Sequence, residues 1–131
     1  MKIEKVGIVG AGAMGILIGK KLSDSLGKDN VVFIADPERC NKYRQQGFIS
    51  NGEKCDLSYG SEPVKGPLDL IMFAVKIYDL EKTLALVKPF IAKNTVLMSV
   101  MNGISSEAII GEAFGAEQVI YAVALVWMRR R

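Results

Sequence analysis

The chain has 131 residues, with 17 lysines and arginines against 14 aspartates and glutamates, and half of its residues are hydrophobic. The excess positive charge lies in Arg129, Arg130 and Arg131, so the net charge of +3 is not evidence for the clustered basic face that nucleic-acid binding needs. The lack of histidine excludes Ser-His-Asp and Cys-His nucleophile sites and most zinc sites. This length fits one folded domain with a hydrophobic core.

The cysteines and the apolar runs bear on location. Cys40 and Cys55 lack the spacing of a metal site and indicate packing residues in a reducing compartment. The N-terminus shows no signal-peptide pattern, and Val119–Met128 is too short an apolar run to cross a membrane. We therefore expect a cytoplasmic protein that binds no nucleic acid, membrane or metal.

The first third of the chain alternates short apolar runs with amphipathic stretches. Val6–Val9 predicts a buried strand, and Ala13–Leu26 predicts a helix whose apolar positions are Met14, Leu17, Ile18 and Leu22. Val31–Ala35 predicts a second buried strand. The spacing of the apolar residues alternates between that of a strand and that of a helix, which favours a fold that contains both.

A helix-start signal follows the second strand. Asp36 is a predicted N-cap, Pro37 takes the first helical position, and Gly47 ends a helix over residues 37–46. Phe48–Tyr59 predicts a hairpin that turns at Asn51-Gly52, a favoured type I′ pair.

The remaining segments complete the alternation. They are the predicted strand Leu68–Val75, a helix over Tyr78–Ile91 that Pro89 kinks or ends, the strand Val96–Met101, the helix Ser105–Phe114 and the strand Val119–Met128. This order predicts an α/β fold of Rossmann type, a doubly wound and mainly parallel sheet with helices on both faces. We place this domain at residues 1–128 and a basic tail at 129–131.

A glycine-rich turn follows the first predicted strand: Gly10, Ala11, Gly12, Ala13, Met14 and Gly15 form G-x-G-x-x-G at the start of a helix. In this context the pattern indicates dinucleotide binding, because Gly10 allows the tight turn, Gly12 admits the pyrophosphate and Gly15 lets the helix pack closely. The helix N-terminus would bind the phosphates. The alternative is a turn that merely requires glycine.

Two residues near the end of the second strand bear on the choice of cofactor. Asp36 lies where a carboxylate would accept a hydrogen bond from the adenosine ribose and favour NAD, although it could also simply cap the next helix. Arg39, one turn later, could stack on adenine or pair with the 2′-phosphate of NADP, or could be a solvated charge. The two residues leave both cofactors open.

Lys76 and Asn102 each follow a later strand. At the carboxyl edge of a parallel sheet, Lys76 would face the nicotinamide end and bind a substrate oxygen or the cofactor amide. Asn102 could bind a ribose, the nicotinamide or the substrate. The alternatives are a snorkelling lysine and a plain Asn-Gly turn, and Glu107 is best explained by the helix dipole.

Together these residues resemble the N-terminal domain of the ketopantoate reductase (2-dehydropantoate 2-reductase) family. The match rests on the glycine turn, on Ala74-Val75-Lys76 and on Met101-Asn102-Gly103, with a further likeness at the Asn51-Gly52 turn. The resemblance implies an NADPH-dependent reduction of ketopantoate to pantoate, a step towards pantothenate and coenzyme A. It also implies that Lys76 and Asn102 contact the nicotinamide end of the cofactor and the substrate.

Two features depart from that family. Asp36 stands where the family often has a basic residue, and we expect 131 residues to be too few to include the helical C-terminal domain, which in the family supplies a catalytic lysine and a substrate-binding glutamate. We therefore expect the chain to bind NADP(H), or NAD(H) because of Asp36, without turnover on its own, and an exposed face to allow homo-oligomers. The alternatives are a non-catalytic dinucleotide-binding regulator, a truncated remnant, or part of another 2-oxo acid reductase.

Overall fold

The computed structural model describes residues 3–10, 12–50, 53–63, 66–75, 77–100, 105–115 and 119–121. Within these ranges the helices are α1 (Ala13–Leu26), α2 (Pro37–Gln46), α3 (Ile77–Val87) and α4 (Ser105–Phe114). The strands are β1 (Val6–Val9), β2 (Val31–Ile34), β3 (Phe48–Ser50), β4 (Glu53–Cys55), β5 (Ser58–Gly60), β6 (Leu70–Phe73), β7 (Val96–Ser99) and β8 (Val119–Tyr121). None of these helices has the length and apolar character needed to span a membrane.

Six strands form one parallel sheet in the order β5-β2-β1-β6-β7-β8. The chain first builds outwards from β1 through β2 to β5, and then continues on the other side of β1 with β6, β7 and β8. The strand order therefore reverses between β1 and β6. This arrangement confirms the predicted doubly wound, Rossmann-type fold, whose ligands bind at such a reversal.

The sheet is buried on both faces because alternate side chains of its strands enter two hydrophobic clusters. Val6 and Ile8 of β1 belong to the cluster that contains Ile16 of α1. Val9, on the opposite face, belongs to the cluster that contains Leu80 of α3 and residues of α4. Helices thus cover both faces, as the near-continuous apolar strands predict.

The strands are shorter than the sequence patterns predict. Val31–Ala35 ends as a strand at Ile34, Leu68–Val75 is a strand only over Leu70–Phe73, and Val96–Met101 only over Val96–Ser99. The apolar runs are longer than the strands because residues beyond the ladder are also buried, as Ala35 and Leu68 are. The buried segments therefore extend beyond the residues that pair in the sheet.

The helix predicted over Tyr78–Ile91 begins one residue earlier and ends at Val87. A single 3₁₀ turn over Lys88–Phe90 continues the chain. Pro89 lacks the backbone N–H that an α-helix needs, so the last turn tightens at this point.

The hairpin predicted over Phe48–Tyr59 is confirmed as the antiparallel pair of β3 and β4, but the prediction is wrong beyond Cys55. β3 pairs with β4 in the antiparallel sense, and the predicted Asn51-Gly52 turn lies outside the described residues. Ser58–Gly60 instead leaves the hairpin and pairs in parallel with β2, and the Ala35 N–H donates to the Gly60 carbonyl at 3.1 Å. This pairing with β5 satisfies backbone groups at the edge of β2 that would otherwise lack partners in the sheet.

The predicted apolar side of α1 is also wrong at two positions. Met14 and Leu17 are 56% and 41% exposed, whereas Ile16 is buried. The helix turns its small residues to the sheet instead, and a side-chain carbon added at Gly19 would meet the Phe33 ring at 2.5 Å. Close approach of the helix to β2 therefore decides which side is buried.

Asp69 fixes the edge of the sheet at which β1 and β6 begin. Its Oδ2 atom accepts hydrogen bonds from the backbone N–H groups of Glu4 and Lys5, each at 2.9 Å. These two hydrogen bonds stabilise the carboxylate and lower the pKa of Asp69 below its ordinary value of 3.8. The charge of Asp69 thus joins two central strands that are far apart in sequence.

Replacing Asp69 with asparagine should lower the free energy of unfolding at neutral pH by about 1 kcal/mol, because the amide oxygen is a weaker acceptor than the carboxylate. Since the folded-state pKa is lowered, this stabilisation is complete above the unfolded value and is lost as the pH falls through the folded value. Urea unfolding from neutral pH down to acid conditions measures it.

Asp24→Asn, on an exposed turn of α1, is the matched control and should change stability by less than about 0.5 kcal/mol. A difference between wild type and Asp69→Asn that stays constant into the acid range would contradict a role for the charge.

Candidate functional site

The glycine turn lies at the end of β1, where the strand order reverses. Gly10 has a φ angle of +106°, and a side-chain carbon there would strike the carbonyl oxygen of Ala74, just after β6. A side-chain carbon at Gly15 would strike the Gly10 carbonyl oxygen. By contrast, an added carbon at Gly12 would meet no atom within 4 Å. The first and third glycines are thus required by packing, and the middle one borders open space.

The N-terminus of α1 has no partner for its first N–H groups among the described side chains. Gly12 is the N-cap and offers no side-chain acceptor, and the first turn contains no acidic residue. The next helix differs, because the Asp36 carboxylate caps α2 by accepting the Arg39 backbone N–H. Unpaired N–H groups and the helix dipole make the start of α1 suitable for an anionic group.

A cleft of about 450 Å³ lies beside the glycine turn, at the carboxyl ends of β1 and β2. Its walls come from the strand ends, α2 and α3, and its lining residues are Val9, Gly10, Ile34, Ala35, Asp36, Arg39, Tyr43, Val75, Lys82, Thr83, Ala85 and Leu86. The volume is in the range of small-molecule sites, and the lining combines apolar surface with a few charged groups.

Asp36 and Arg39 both line this cleft and lie close to each other. The Oδ1 atom of Asp36 accepts the Arg39 backbone N–H at 2.8 Å, which confirms the predicted N-cap. The Oδ2 atom lies 4.0 Å from the Arg39 Nε atom, and both side chains are about half exposed. One carboxylate oxygen and the guanidinium group therefore remain accessible from the cleft.

Tyr43 and Cys40 contribute bulk rather than charge to this region. Burial raises the pKa of Tyr43, and its ring packs on Phe48 with a centroid distance of 4.6 Å. Burial, followed by the Asp36 charge, raises the pKa of Cys40, whose thiol donates to the Ala35 carbonyl at 3.6 Å. The Cys40 thiol is therefore protonated, which agrees with the predicted packing role.

Several residues that the sequence singles out lie outside the described part of the chain. These are Ala11, Lys76 and Asn102, together with the whole of 122–131. The backbone that leads to two of them is described: Val75 lines the cleft, and the Val100 N–H donates to the Phe73 carbonyl at 2.9 Å. The segments before Lys76 and Asn102 therefore lie at the same edge of the sheet.

Lys82 lines the cleft from α3, a position that the sequence patterns do not predict. Its only sequence signal is its spacing from Thr83 and Leu86, which puts the three residues on one side of a helix. That spacing does not show that this side of α3 faces the start of α2, since the packing of α3 on the sheet decides it.

These features define the class of Rossmann-type domains: a parallel sheet that reverses its order beside β1, a close-packed glycine turn and an open helix N-terminus. The family described as Ketopantoate reductase PanE/ApbA matches residues 6–130. The chain belongs to this family.

Individual relatives agree with that assignment. The chain is 31% identical over 123 residues to the uncharacterized oxidoreductase YkpB of Bacillus subtilis, a match that covers 91% of this chain and 40% of the relative. A PanE/ApbA family ketopantoate reductase from Ralstonia eutropha is 26% identical, with a TM-score of 0.68, over 89% of this chain and 39% of that one.

A structure of D-mandelate dehydrogenase with NADH and anilino(oxo)acetate is also similar, at 28% identity and a TM-score of 0.73. The match covers 89% of this chain and 39% of that chain. The chain thus spans about two-fifths of the length of the relatives that it matches.

Proposed function

We propose that this chain is the cofactor-binding domain of a 2-oxo acid reductase and binds NADP(H), with NAD(H) as the second candidate. Ketopantoate, reduced to pantoate, is the first candidate substrate because of the family to which the chain belongs. The observation that carries the proposal is the uncapped start of α1, which opens beside the cleft where the strand order reverses.

Under this proposal each part of the site has its own task. The N–H groups after Gly12 bind the pyrophosphate, and the cleft between Ile34 and Leu86 holds the adenosine. Asp36 and Arg39 lie at the ribose end of that cleft. Lys76 and Asn102 are proposed to follow at the nicotinamide end, where they would bind the substrate or the cofactor amide.

Bound nicotinamide supplies the hydride in such a reduction, and the protein must orient it and provide a proton for the developing alkoxide. Lys76 is the candidate in this chain to bind the substrate oxygen. We expect the proton donor and the other wall of the substrate pocket to come from a further domain, so this chain alone should bind cofactor without turnover.

A second candidate is an NADH-dependent reductase of another 2-oxo acid. Two observations favour it: a carboxylate, Asp36, at the ribose end of the cleft and the similarity to D-mandelate dehydrogenase with NADH.

Calorimetric titration of the 131-residue chain with NADPH and with NADH tests the proposal. We expect saturable binding of at least one of them in the micromolar range and no ketopantoate-dependent oxidation of NADPH. Absence of binding for both nucleotides would refute the function, and steady turnover would refute the need for a further domain. Nicotinamide mononucleotide, which lacks the adenosine half of the dinucleotide, is the control. It should bind much more weakly than NADPH or NADH.

A further inference from the structure

We infer that Lys82 is a specificity-determining residue that selects NADP(H) by contacting the 2′-phosphate from the α3 side of the cleft. This inference rests on the proposed function, because it concerns which nucleotide the cleft prefers. The charged side chains that line the cleft are those of Asp36 and Arg39, from the start of α2, and of Lys82, from α3.

The charge of Asp36 is already compensated on its own side. Its Oδ1 atom caps α2, whose N-terminal dipole favours a carboxylate, and its Oδ2 atom faces the Arg39 guanidinium. The pair therefore contributes little net charge to the cleft, and Asp36 presents less repulsion to a phosphate than an uncapped carboxylate would.

Lys82 then gives the cleft its net positive charge. It lines the same cleft from α3, together with Thr83 and Leu86, whereas Asp36 and Arg39 line it from the start of α2. Adenosine held in the cleft with its ribose near Asp36 and Arg39 would bring a group on the ribose 2′ position into the positive field of Lys82. A phosphate monoester carries nearly two negative charges near neutral pH, whereas the 2′-hydroxyl of NAD carries none.

The side chain of Lys82 is exposed, so its contribution is that of a solvent-screened charge pair. We expect Lys82→Gln to weaken NADPH binding by about fivefold and to leave NADH binding unchanged within about twofold. Lys82→Arg keeps the charge and should retain the preference. Lys88→Gln is the matched control, an exposed lysine that follows α3 and does not line the cleft.

Calorimetric titration of the three variants with both nucleotides, at low and at high salt, gives the test. The expected result is a smaller NADPH-to-NADH preference only in Lys82→Gln, and a wild-type preference that falls as salt rises. An unchanged preference in Lys82→Gln, or an equal loss for both nucleotides, overturns the inference while the proposed function stands. Failure of the wild-type chain to bind either nucleotide overturns both.

Discussion

Replacing Gly15 with alanine should destabilise the domain by about 3 kcal/mol or more. The new methyl group would overlap the carbonyl oxygen of Gly10, which belongs to the backbone. The strain cannot be relieved by rotating a side chain, so α1 must move away from β1 and loosen the cluster around Ile8 and Ile16. Urea unfolding followed by circular dichroism measures the loss.

Two other glycines provide graded controls for this substitution. Gly12→Ala should change stability by less than about 0.5 kcal/mol, because the added carbon meets no atom within 4 Å and the φ angle is −76°. Gly47→Ala also meets no atom, but its φ angle of +72° should cost about 1 kcal/mol. Equal stability of Gly15→Ala and wild type would show that α1 does not pack as described.

Replacing Gly12 with valine should weaken nucleotide binding about 100-fold without unfolding the protein. The open space at this position is where the proposed function places the pyrophosphate, and a branched side chain would fill it. Loss of two hydrogen bonds to a charged phosphate corresponds to about 100-fold weaker binding of NADPH or NADH. Calorimetry gives the affinity, and thermal unfolding gives the stability of the same sample.

Gly12→Ala is the intermediate case and should bind more weakly than wild type but more tightly than Gly12→Val. Wild-type affinity in Gly12→Val would place the phosphates elsewhere and remove the main support for the proposed function. A fall in thermal stability that matches the fall in affinity would instead indicate misfolding, contrary to the free space around Gly12.

The sequence was sufficient for those features that local patterns determine. β1, α1 and α4 have the predicted bounds, and the caps at Asp36 and Gly47 were predicted because each uses residues within one turn. The doubly wound sheet also followed from the order of apolar runs, since parallel strands need helical connections.

The features that were missed depend on contacts between distant segments. Met14 and Leu17 fit the apolar spacing of a helix, but the close approach of Gly19 to Phe33 turns them outward. Ser58–Gly60 extends the β2 edge, which the hairpin pattern could not indicate. Lys82 reaches the cleft only because of the way α3 packs on the sheet.

The parallel pairing of the main sheet has a consequence for how the domain folds. β1 occupies the centre, yet its partner β6 pairs Leu70 with Val6, so the pairing must wait for a distant part of the chain. Each sheet pairing closes a long loop rather than a tight turn, which raises the contact order and slows folding. During synthesis one edge of β1 therefore stays unpaired until β6 emerges, and an unpaired strand edge favours aggregation.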